Sequence, residues 1–102
     1  MNTNEQQCVG SIRLMYADTA SNQVITLGGA GFITREEDDA AWANVLAFGG
    51  ATNLVADRLD ANGDIVDDKP VSAETCEVLM GTPIAQLIAA GRAQLASELA
   101  GA

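Results

Sequence analysis

Along the first part of the chain, Ile12, Leu14 and Tyr16 alternate with Ser11, Arg13 and Met15. A period of two puts successive side chains on opposite sides of a half-buried strand, so a strand is expected over Cys8 to Tyr16. Asp18-Thr19-Ala20-Ser21-Asn22 is made of turn formers, and Val24-Ile25-Thr26-Leu27 resumes a β-prone run that ends in glycines. The two strands are expected to pair as a hairpin. From Thr34 the period lengthens. Thr34-Arg35-Glu36-Glu37 matches a capping box, in which the Thr hydroxyl and the Glu carboxylate satisfy amides left free at a helix start. Trp42, Val45 and Leu46 fall on one helical face and Gly49-Gly50 supplies a stop, which places a helix over Arg35 to Phe48.

Leu54 to Asp60 and Asp64 to Val71 flank Asn62-Gly63, the dipeptide suited to the positive φ angles of a type I′ hairpin turn. That turn would set Leu59 opposite Val66, Arg58 opposite Asp67 and Asp57 opposite Asp68. The last pairing is unfavourable unless a cation lies nearby. Ser72 to Met80, closed by Gly81, reads as a short helix, with a strand over Thr75 to Met80 as the alternative. Thr82-Pro83 fits a cap followed by a first-turn proline, and Ile84, Leu87, Ile88, Gly91, Leu95 and Leu99 trace one face of a terminal helix. Gly91 in that helix marks a close crossing of another backbone.

The expected fold is therefore α+β: a single small domain over residues 1–102, with an antiparallel sheet from two hairpins in β-β-α-β-β-α order and helices packed on one face. Hydrophobic residues make up 48% of the chain, enough for one globular core. Aromatics are only 4%, so Leu, Ile, Val and Ala must build that core, with Trp42 and Phe48 supplying bulk.

Charge changes the picture most. Fourteen acidic residues face five basic ones, a formal net charge of −9. So few cations cannot neutralise the phosphates of a duplex, which argues against direct nucleic-acid binding, and the field repels an anionic membrane while steering basic protein surfaces toward the chain. With no long apolar stretch and a polar start at Met1 to Gln7 that lacks a signal-peptide pattern, the chain is expected to be cytoplasmic. Cys8 and Cys76 are widely separated and outside any CxxC context, which suggests two ordinary thiols.

Candidate chemistry is sparse. Leu27-Gly28-Gly29-Ala30-Gly31-Phe32-Ile33 resembles, over about seven residues, the glycine fingerprint of sugar-nucleotide epimerases and related extended short-chain dehydrogenases, which implies a dinucleotide pyrophosphate against backbone amides. Thr34 stands where that family has its third glycine, and Glu36 to Asp39 crowd the helix start where the pyrophosphate would lie. The glycines are therefore read as a turn or bulge between strand and helix. Asp60-Ala61-Asn62-Gly63-Asp64 alternates oxygen ligands like a calcium loop, but no register supplies both the turn glycine and the closing glutamate. The chain has no histidine, so nucleophilic triads and most general-base schemes have no base.

No enzyme, cofactor or metal site is expected. The leading functional expectation is an acidic interaction protein: an inhibitor of phage or mobile-element type, anti-CRISPR or nucleic-acid mimic, that binds a basic protein or nucleoprotein complex. Its candidate partner-binding residues are Glu36, Glu37, Asp38, Asp39, Asp57, Asp60, Asp64, Asp67 and Asp68. The alternative is a structural or assembly protein that forms a homo-oligomer or virion contact through the apolar terminal helix Ile84 to Leu99 and the exposed edge of a hairpin.

Overall fold

A computed structural model describes residues 8–47, 50 and 53–101. Strands β1 (Gly10–Asp18), β2 (Gln23–Phe32), β3 (Leu54–Asp60) and β4 (Ile65–Pro70) form one antiparallel sheet in the order β2-β1-β3-β4. Helix α1 (Arg35–Ala47) joins β2 to β3, and α2 (Ala73–Met80) and α3 (Ile84–Ala100) follow β4. The expected α+β class with a sheet of two hairpins holds, and the segment read as helix or strand is helix. Ser72 Oγ accepts the Thr75 amide at 3.1 Å, and Gly81 closes the helix by donating its amide to Glu77 O. Phe48, Gly49 and the Met1–Gln7 lead lie outside the described residues.

The alternation in β1 sorts the sheet into two faces. Ile12 and Leu14 turn inward with Ile25, Leu27, Leu54 and Ala56, and Trp42, Val45, Val71, Cys76 and Leu87 close over them. Each fully buried Ile, Leu or Val contributes about 1.5–3 kcal/mol relative to an exposed one, so this layer carries most of the stability. Burial also pushes the Cys76 thiol up to about 11, whereas Cys8 is exposed. Two helical-face expectations fail at their ends. Leu46 is 54% exposed and Leu99 65%, whereas Val45 and Leu87 on the same helices are buried.

The glycine run is part of a strand. Gly28 to Gly31 lie inside β2, paired with β1, and not in a turn before α1. Leu14 pairs with Gly28 and Met15 with Thr26, so Leu27 is the extra residue of a bulge and Gly28 takes φ 142°. The bulge resets the alternation: Ile25 and Leu27 face the helices before it, and Phe32 still packs against the core after it. The glycine amides therefore belong to a sheet rather than to a phosphate-binding loop.

The second hairpin differs from the two-residue type I′ turn. Gly63 N donates to Asp60 O, Asp60 N donates to Asp64 O, and of the two central residues only Gly63 has positive φ, 84°. The Asp60 carboxylate accepts the amides of Asn62 and Asp64, both at 2.9 Å, which favours a three-residue turn. Leu59 consequently pairs with Ile65 rather than Val66, and a bulge restores Arg58 opposite Asp67 and Asp57 opposite Asp68.

Candidate interaction surface

Every lysine and arginine of the chain lies in an ion pair with one of its own aspartates. Arg13 meets Asp57 at 3.0 Å, Arg35 meets Asp38 at 2.9 Å, and Lys69 meets Asp67 at 3.6 Å. Arg58 reaches Asp39 at 2.5 Å and Asp38 at 3.4 Å, and Arg92 reaches Asp18 at 2.7 Å. The cationic complement is thus consumed internally. The acids outside these pairs, among the described residues, are Glu36, Glu37, Asp60, Asp64, Asp68, Glu74, Glu77 and Glu98.

These pairs follow from the elements that hold them. The capping box forms as expected, with Glu37 N donating to Thr34 Oγ1 and Thr34 N donating to Glu37 Oε1, both at 3.2 Å. It starts α1 so that Asp38 turns inward, 1% exposed, while Glu36 and Glu37 point to solvent. Arg58, on the helix side of β3, crosses to α1 and does not pair with Asp67, its cross-strand neighbour. Its guanidinium lies 5.7 Å from the Trp42 ring centroid. Burial opposes the Arg58 charge, and Asp39 and Asp38 more than offset this, so its pKa is raised.

The nine acids singled out in the sequence therefore separate into distinct environments. The Arg58 bridge makes α1 and the second hairpin neighbours. Glu36, Asp64 and Asp68 are exposed and unpaired, and Glu37 is exposed but holds the cap. Asp60 fixes the turn, Asp67 is held by Lys69, and Asp39 by Arg58. Asp38 is buried, and Asp57, 8% exposed, is neutralised by Arg13, the cation that makes its position opposite Asp68 tolerable.

The pair that sequence reasoning missed is Asp18–Arg92. Asp18, read as a turn former, is 2% exposed. Its carboxylate accepts Nε and Nη2 of Arg92 at 3.0 and 2.7 Å and the Ser21 hydroxyl at 2.8 Å. The one visible signal was a single arginine in an otherwise cation-free helix.

No family model matches the chain, and neither a curated protein nor a solved structure matches it. The site must be read from its own chemistry. Among the described residues no three His, Cys, Asp or Glu side chains come together as a metal site, and no helix is long and apolar enough to cross a membrane.

The Arg58 bridge yields a test. Arg58→Met leaves buried Asp38 with only the exposed Arg35, and is expected to cost about 3 kcal/mol in urea unfolding. Adding Asp38→Asn is expected to recover at least about half of that loss, because the uncompensated charge is gone. Additive losses would show that Arg58 acts through packing alone.

Proposed function

We propose that the protein is a non-enzymatic binding module whose free carboxylates, on the exposed start of α1 and the β3–β4 hairpin, dock on the basic surface of a protein or nucleoprotein complex. The observation that carries this reading is the internal pairing of all five cations. What remains outside is carboxylate, with no lysine or arginine side chain left unpaired to meet a phosphate, so the field favours a cationic partner over nucleic acid. Glu36, Asp64 and Asp68 are the strongest candidates, because they have no cation of their own to be stripped away on binding. In its narrower form the reading is an inhibitor of phage or mobile-element type, anti-CRISPR or nucleic-acid mimic, acting in the cytoplasm by occupying the Lys and Arg groove of a nucleic-acid-handling complex.

The test is retention of host-lysate proteins on the tagged chain at low and high salt, followed by nucleic-acid competition with the purified catch. A basic complex released by salt and displaced by nucleic acid is expected. Glu36→Lys, Asp64→Lys and Asp68→Lys together are expected to weaken that binding at least about tenfold at low ionic strength. Binding that survives the triple reversal, or that salt does not weaken, overturns the reading.

A further inference from the structure

The two edges of the sheet are built differently. The β4 edge carries Asp67, Asp68, Lys69 and Pro70, all features that discourage another strand from adding there. The opposite edge, β2, has neither charge nor proline over Gln23–Phe32, in a chain whose net charge is −9. Beside it runs α3, whose only charged residues are Arg92 and Glu98, and Arg92 is already engaged by Asp18. An open groove of about 270 Å³ runs beside their contact at Ile25 and Gly91, with strand residues 24–28 along one wall and Gly91, Gln94, Leu95 and Glu98 along the other. Val24 on the strand is 63% exposed, and Leu99, one turn beyond Leu95, is 65% exposed.

We propose that this edge is a self-association site: Gln23–Leu27 pairs antiparallel with the same segment of a second copy, joining two sheets into one of eight strands with the two α3 helices alongside. Charge selects the occupant. Two chains of this net charge repel, and they can meet only where free carboxylates do not face each other. Among the described residues, Glu36, Glu37, Asp60, Asp64, Asp68, Glu74 and Glu77 belong to α1, the second hairpin and α2, so the β2–α3 side is the nearly neutral one. Glu98, on the wall of the groove, is its one unpaired acid, and Gln94 donates to its carboxylate at 3.3 Å. A cationic partner would be drawn to the acidic side instead. The pairing segment stops before Gly28 because the bulge there interrupts the ladder. Backbone hydrogen bonds give the contact its affinity, and Val24, Leu95 and Leu99 give it apolar area.

The test is the oligomeric state of the full chain by light scattering and sedimentation between about 1 and 200 µM, combined with hydrogen exchange. The wild type is expected to dimerise toward the upper end, to remain dimeric in high salt, and to gain amide protection along β2 as concentration rises. Val24→Glu with Leu99→Glu is expected to weaken the dimer at least about tenfold while thermal unfolding stays cooperative. Asp64→Lys with Asp68→Lys is expected to leave it intact. A wild type that is monomeric throughout, a dimer that survives the Glu substitutions, or one lost with the Lys substitutions overturns the proposal. If the Glu variant fails to fold, concentration-independent exchange of the wild-type β2 amides overturns it equally.

Discussion

Asp18→Asn is expected to lower the melting temperature by about 10 °C at neutral pH, a large effect for an isosteric change in so small a chain. The asparagine keeps an acceptor for the turn but leaves Arg92 without its anion, and with it the bidentate tie between the β1–β2 turn and α3. The effect has a defined pH signature. The Arg92 guanidinium, against the opposing effect of burial and with help from Ser21 and the Ala20 amide, holds the Asp18 carboxyl well below its ordinary value of 3.8. A carboxyl lowered in the folded state contributes stability that is complete above the unfolded value and is lost as pH falls through the folded one. The gap between wild type and Asp18→Asn should therefore be constant from about pH 7 to 5 and narrow below about pH 4. Circular-dichroism melts of both proteins across that range measure it. A gap that is unchanged at the acid end would mean that Asp18 acts as a neutral turn residue and that its charge is irrelevant.

Gly91→Val is expected to destabilise by about 3 kcal/mol, through overpacking at the same docking site. Any β-carbon at position 91 runs into Cγ2 of Ile25, a core residue 3% exposed, with the Thr26 carbonyl 3.5 Å away. That methyl sits on a branched carbon in a packed layer and has no flexible path out of the way. Gly91→Ala is the informative control. Helix propensity alone favours alanine by about 1 kcal/mol, so a net loss in that variant would isolate the steric term. Combining Gly91→Ala with Ile25→Ala should cost less than the sum of the two, since one change makes the room the other needs. Urea unfolding of the four proteins gives the cycle, and strict additivity would show that α3 does not approach β2 through Gly91. Together, Gly91 against Ile25 of β2 and Arg92 against Asp18 of β1 fix α3 on the sheet by shape and by charge, and the nearly neutral side proposed for self-association depends on that placement.

Local patterns carried most of the secondary structure. The period-two run at Ile12 to Tyr16, the box Thr34 to Glu37, Ser72 and Gly81 around α2, and the apolar stripe of α3 each specify their element through contacts within a few residues, which a sequence displays directly. Gly91 could even be read as a crossing point, because a glycine inside an alanine-rich helix has few other reasons to be there. The acidic excess was likewise a property of composition.

What only tertiary structure decided is which charges are free. Asp38 and Asp39 are adjacent in sequence, yet the rotation of a single residue step along α1 sends the first into the interior and leaves the second on the surface. Arg58 faced Asp67 in the expected register, and the shorter path led across to α1 instead. Asp18 and Arg92 are 74 residues apart and meet only because α3 lies over β2. Even the register near the second turn rested on one side chain, since Asp60 accepts two amides and makes the loop one residue longer than Asn62-Gly63 alone implies. Local signals fix elements because their partners lie within a turn of helix or one strand crossing. Charge pairing is fixed by distances between elements, and those exist only once the sheet and its helices have closed around a common core.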